Sequence, residues 1–195
     1  FVDLFVLPAA GSDLAQGSLF DLGGARIAFV RDGEGGRIQA LQGDALGGGE
    51  WSPAGAWMPL EANGTATRWV RLTARLNYAT LTWDLYVDGQ LALFDLGFSY
   101  TGTPPSALTQ FSAQGPATQT SHFDFLYAGY DHPLFEDDDR DGIDDAWELA
   151  NGLDPALDDR NGDKDGDGLV NIREYQLGTR ADRADSDGDG LPDGW

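Results

Sequence analysis

The chain has 195 residues, 41% hydrophobic and 11% aromatic, with a formal net charge of −21: enough for one large or two small domains with a buried core, and unsuited to nucleic acid or anionic membrane surfaces. It contains no cysteine, which excludes disulfides, thiolate metal sites and cysteine nucleophiles together. No uninterrupted apolar run approaches a membrane span, and a chain that starts at Phe1, without initiator methionine or signal-like segment, has the look of a piece of a longer protein, cut at both ends.

The first two thirds read as β throughout. "FVDLFVL" (1–7), carrying Asp3, "RIAFV" (26–30) and "RIQALQG" (37–43) are strand-like runs. The glycine-rich "DGEGG" (32–36) between them lacks the Lys-Ser/Thr of a phosphate loop and reads as a turn. In "RWVRLTARL" (68–76), Val70, Leu72, Ala74 and Leu76 face one way and Trp69, Arg71, Thr73 and Arg75 the other. "TLTWDLYV" (80–87) repeats the alternation with Leu81, Trp83, Leu85 and Val87 inward. "VDGQ" then makes a type I′ hairpin turn, returning through "LALFDLGF" (91–98). "LTQFSA" (108–113) and "HFDFLYAG" (122–129) complete the set. Short strands divided by Gly- and Pro-rich turns predict an all-β antiparallel sandwich.

Sites on this part are sparse. His122 and Asp124 stand two apart on one strand, but a general-base pair needs a third partner, and a solvent-facing pair is the plain reading. Two histidines in the whole chain leave no His-rich zinc site. Trp51, Trp57 and Trp69 are candidates for stacking on sugars. Most are expected to pack in or beside the sandwich, and Trp69, outward beside Arg71, is the candidate glycan-binding residue.

"WDLYVDGQLALFDLGF", "GRIQALQGDALGGGEW" and the closing "HFDFLYAGY" resemble laminin-G-like, concanavalin-A-like jelly rolls of secreted bacterial proteins, over roughly residues 1–130. The resemblance implies a jelly-roll sandwich whose relatives often bind glycans. One branch, similar to a β-glucanase family, hydrolyses them with Glu-x-Asp-x-x-Glu on one strand. Residues 1–135 have no such arrangement, and "SHFDFLY" offers Asp124 alone where an acid and a nucleophile are both needed. No enzyme is expected.

The charge is uneven. Residues 1–135 hold 13 acidic and 6 basic residues, a net of −7, whereas residues 136–195 hold 20 and 6, a net of −14. A boundary is therefore expected near "GYDHPLFEDDD", where Pro133 breaks any continuing element, giving a sandwich over 1–132 and an ion-dependent segment over 133–195. "DDDRDGIDDAWE" (137–148), "DKDGDGLVNIRE" (163–174) and "DSDGDGLPDGW" (185–195) are three copies of one loop. Positions one, three, five and nine are Asp137, Asp139, Asp141 and Asp145 in the first, Asp163, Asp165, Asp167 and Asn171 in the second, and Asp185, Asp187, Asp189 and Asp193 in the third. Glu148 and Glu174 take position twelve, and the third copy stops one residue short of it, so the parent chain is expected to continue. Alternate spacing lets the oxygens converge as the loop curls. Gly142, Gly168 and Gly190 permit the bend that turns the carbonyls of Ile143, Leu169 and Leu191 onto a calcium ion, and a glutamate at twelve closes the shell with both oxygens.

A calcium sensor needs a helix entering each loop. "YDHPLF" and "NGLDPALDDRNG" precede the first two loops, rich in helix breakers, and only the short "DAWELAN" and "NIREYQL" follow, each ended by a glycine, Gly152 or Gly178. Trp147, Leu149, Leu153, Leu169, Tyr175 and Leu177 are too few to make a core, so folding and ion binding are expected to be one event involving two to three or more ions. Residues 136–195 resemble cysteine-free thrombospondin type 3 repeats of bacterial surface proteins, which implies an extended calcium-bound spacer. "GTRADRAD" departs from the family's Thr-Asp-Pro, and Asp159, Asn161, Asp163 and Asp165 allow another register with a shared second ion. Dockerins share the loop spacing but carry a longer helix than Gly178 permits here. The expected whole is a non-enzymatic, extracellular segment in which a lectin-like sandwich is carried on a calcium-stiffened stalk. The alternative is a carbohydrate-binding module. Its partners are calcium and either glycans or neighbouring copies, with neither nucleic acid nor membrane insertion.

Overall fold

The computed structural model describes residues 1–11, 18–115, 120–130, 136–139 and 141–195. Among the described residues ten strands follow one another: β1 (Val2–Leu7), β2 (Ser18–Leu22), β3 (Ala25–Asp32), β4 (Gly35–Gly43), β5 (Gly49–Pro59), β6 (Val70–Asn77), β7 (Thr82–Val87), β8 (Gln90–Gly97), β9 (Ser112–Gln114) and β10 (His122–Ala128). Two short helices come after them, α1 (Asp145–Asn151) and α2 (Asn171–Leu177). The strands form two five-stranded sheets, ordered β10-β1-β6-β7-β8 and β5-β4-β3-β2-β9, and every strand pair is antiparallel.

The inward faces of both sheets meet in one apolar cluster. Leu4, Leu72, Trp83 and Leu85 come from the first sheet, Ile27, Phe29, Ile38 and Ala54 from the second. The alternation in β6 falls as its sequence predicts, with Val70, Leu72 and Ala74 buried and Trp69, just ahead of the strand, 44% exposed. Asp88 and Gly89 take φ of 54° and 81° between β7 and β8, the left-handed pair of a type I′ turn. The opposite face of β6 is less wet than alternation alone implies. Asp3 is fully buried, accepting from Arg71 Nε at 3.0 Å and from Thr73 Oγ1 at 2.7 Å, and Arg75 pairs with Asp84 at 2.7 Å. Hydrogen-bonded ion pairs of this kind are how a charge tolerates burial.

Two strands escape the pattern. β2 is only five residues long, and β5 contains Pro53 and Gly55, which read as loop. β5 lies at a sheet edge, where a missing N–H breaks no ladder. Conversely, only Ser112 and Ala113 of the expected strand at 108–113 pair, within β9, while Leu108 and Phe111 are held by packing, with Phe111 stacked on Phe20 at 6.3 Å.

The chain divides into two compact units, Phe1–Gly129 and Tyr130–Trp195. Pro133, on which the expected boundary turns, lies outside the described residues. No helix among the described residues is long and apolar enough to cross a membrane.

Candidate metal centre

In the second unit each loop is shaped by its own carboxylates acting on its own backbone. The N–H at position six donates to the position-one carboxylate: Gly142 to Asp137 at 3.1 Å, Gly168 to Asp163 at 3.0 Å, Gly190 to Asp185 at 3.0 Å. Position five donates to position three, as Asp141 to Asp139, Asp167 to Asp165 and Asp189 to Asp187, at 3.0, 3.1 and 3.0 Å. Position seven donates to position five in all three loops at 2.8 Å, from Ile143, Leu169 and Leu191. Gly142, Gly168 and Gly190 carry φ of 96°, 100° and 93°, which residues with a Cβ rarely adopt. Short acidic side chains satisfying the backbone two to five residues on are what curl the loop, and the curl brings the spare carboxylate oxygens together.

Three aspartates in each loop have oxygens within 4.8 Å of one another: Asp137, Asp139 and Asp141; Asp163, Asp165 and Asp167; Asp185, Asp187 and Asp189. A fourth cluster of this kind joins Asp141 and Glu148 to Asp159, the residue that the alternative register brings in. These clusters are able to hold a metal ion. Glu148 and Glu174 are fully buried, and all four of their carboxylate oxygens lack a hydrogen-bond partner among the described residues; one oxygen each of Asp139, Asp141, Asp165 and Asn171 is in the same position. Burial pushes Glu148 up to about 8, with the charges of Asp141, Asp139 and Asp159 adding to it. Burial also raises Glu174 to about 7, reinforced by Asp165, Asp167 and Asp193. Asp141 rises to about 6, again chiefly by burial, against the pull of the Ile143 N–H.

The interior of this unit is polar. Among the described residues its buried side chains are Asp141, Asp145, Glu148, Asn151, Asn171 and Glu174, with Ile143 and Ala181 the apolar ones. Leu149 and Leu177 are 67% and 58% exposed, and the helices touch through Trp147 and Tyr175, edge to face at 5.4 Å. α1 starts at Asp144, whose carboxylate accepts from Ala146 and Trp147, and the helices end at left-handed Gly152 and Gly178.

Position nine also bonds within its own repeat, as positions one, three and five do. Asp145 Oδ1 accepts the Asp138 N–H at 2.9 Å, and Asp193 accepts the Ser186 N–H and hydroxyl, the latter at 2.6 Å. Asn171 spends its amide N–H on the Asp159 carbonyl at 2.9 Å and keeps its oxygen unpartnered. In the first and third loops this residue therefore fastens the loop closed. Ile143 is buried, Leu169 half-buried and Leu191 exposed, although the three loops are curled alike.

The sandwich candidates do not converge. Trp51 and Trp57 lie on β5 of one sheet and Trp69 ahead of β6 in the other. Trp57 is 45% exposed and donates its indole N–H to the Asp32 carbonyl at 3.0 Å. His122 and Asp124 are exposed on β10, with Asp124 turned onto the Phe125 N–H.

No protein-family model matches the chain, and no curated protein matches it. Among solved structures it is similar to an alginate lyase from Pseudomonas aeruginosa, at 12% identity and a TM-score of 0.40 over 67% of this chain. The match spans 64% of the lyase, less than two thirds of its length.

Proposed function

We propose that the chain is a calcium-binding structural and adhesive segment of a larger secreted or cell-surface bacterial protein. In it a laminin-G-like jelly roll is carried on a calcium-stiffened stalk of thrombospondin type 3-like repeats. One observation carries this: Glu148 and Glu174 are buried with both oxygens unpartnered, each beside a curl of aspartates. An unpaired carboxylate in such a place costs several kcal/mol, and a cation removes the cost. The donors are all oxygens, which suits a hard cation. A curled, one-residue-in-two ligand set closed by a bidentate glutamate suits the six to eight ligands of calcium better than the strict octahedron of magnesium.

Asp137, Asp139, Asp141, the Ile143 carbonyl, Asp145 and Glu148 would hold the first ion. Asp163, Asp165, Asp167, the Leu169 carbonyl, Asn171 and Glu174 would hold the second. Asp185, Asp187, Asp189, the Leu191 carbonyl and Asp193 would hold the third, Asp145 and Asp193 also bonding to the N–H groups of Asp138 and Ser186. Asp159, sharing Asp141 and Glu148 with the first curl, gives that repeat room for another ion. The protein's work is then display, adhesion or spacing, without catalysis. Titrating the metal-stripped chain with calcium and with magnesium in a calorimeter is the test. Two or more tight calcium sites, much weaker for magnesium, are expected; no binding at millimolar calcium would overturn it.

A second role, glycan binding through the sandwich, is favoured by the exposure of Trp69. A glycan array with Trp69→Ala as comparison decides it: a ligand lost in the variant supports the role, and an array without hits removes it.

A further inference from the structure

The third loop reaches back to the second. Gly194 donates its N–H to Asp167 Oδ2 at 2.9 Å, 27 residues away in sequence. A Cβ at Gly194 would lie 2.6 Å from the Asp167 carbonyl oxygen and 2.9 Å from the Leu169 nitrogen, so glycine alone fits against this stretch of backbone. Asp167 is the position-five aspartate of the second loop, and Leu169 supplies that loop's position-seven carbonyl. Glu174 is itself fully buried with both oxygens unpartnered, which marks the place as a ligand site and not merely an acidic surface.

Asp193 is fixed by its own loop. Its carboxylate accepts from Ser186, and its N–H donates to the Ala184 carbonyl at 2.9 Å. Asp193 and Gly194 therefore stand in this position only when residues 185–193 are curled. The first repeat is built differently. Four residues before the second loop comes Asp159, which joins the Glu148 cluster; four residues before the third comes Ala181, fully buried and without a carboxylate. What the third loop offers the second is the Gly194 N–H, on Asp167.

We infer that the Asp193–Gly194 pair is a latch on the second ion site, so that calcium binding at the second and third loops is cooperative while the first loop loads independently of the third. The inference presumes the calcium binding proposed above. Coupling of this kind is reciprocal: whatever factor the third ion adds to the affinity of the second, the second adds to the third.

Backbone amide spectra of the whole chain during a calcium titration test it, with Gly142, Gly168 and Gly190 reporting the three loops and Gly194 the latch. Gly168, Gly190 and Gly194 are expected to shift in one step. Asp187→Asn, confined to the third loop, is expected to weaken the Gly168 step about fivefold or more and leave the Gly142 step in place. Gly194→Ala is expected to do the same by displacing the latch. A Gly168 midpoint unchanged in both variants, with Gly142 still reporting bound calcium, overturns the latch alone. Silence of all four amides overturns calcium binding itself.

Discussion

Replacing Glu148 by glutamine should have opposite effects with and without calcium. In the metal-free unit neither oxygen of the buried carboxyl has a partner, and burial pushes the group up to about 8. An unfolded glutamate, near 4.5, is ionised at pH 7.5, so folding without metal must take up a proton. Three pH units at about 1.36 kcal/mol each put that cost on the order of 4 kcal/mol. Glutamine escapes it but buries an amide, which returns ~1–3 kcal/mol of the cost. The metal-free unit of Glu148→Gln should therefore be more stable than wild type by about 1–3 kcal/mol, the difference between those two terms. In calcium the order reverses, because one neutral oxygen replaces a charged bidentate ligand. The near-ultraviolet dichroism of the Trp147–Tyr175 pair in chelator, which reads the residual folded fraction, and thermal melts in saturating calcium measure the two arms. A variant less stable than wild type in both conditions would refute the reasoning.

The raised groups also set a pH dependence. Asp141, Glu148 and Glu174, at about 6, 8 and 7, favour the metal-free fold when protonated. Its stability should fall as pH rises from about 4, near the unfolded values, to about 8, where the last of them ionises in the fold, while calcium affinity, which needs the ionised forms, rises over that window. Calorimetry in buffers of different ionisation heat should show proton release on binding. In the sandwich, Arg71→Ala strands the buried carboxylate of Asp3 and should cost about 3–5 kcal/mol, read as a lower melting temperature with calcium binding unchanged. With no paired carboxylates on β10, the chain should release no reducing sugar from β-glucans; release abolished by Asp124→Asn would contradict this.

What the sequence discloses follows the range of the interactions. The loops are legible because the hydrogen bonds that curl them, from positions five, six and seven to the carboxylates at one, three and five, span at most five residues, and the Asp88–Gly89 turn and the alternation in β6 are equally local. The burial of Asp3 is not, since its partners Arg71 and Thr73 are far along the chain on a neighbouring strand. Nor is β5, whose Pro53 reads as loop until its place at a sheet edge is known. Spacing also does not disclose that Asp145 and Asp193 bond to the N–H groups of Asp138 and Ser186, seven residues away. Asp159 shows in the sequence as a second register, but its approach to Glu148 depends on how the intervening turns fold.

Limited proteolysis in calcium and in chelator, with the cut sites mapped, tests most directly whether the ion holds the second unit together. In calcium both units should resist. In chelator, cuts should spread through residues 136–195 while the sandwich stays whole, because a unit whose buried interior is chiefly carboxylates and amides has little else to fold on. Equal protection of residues 136–195 in chelator would contradict calcium's role.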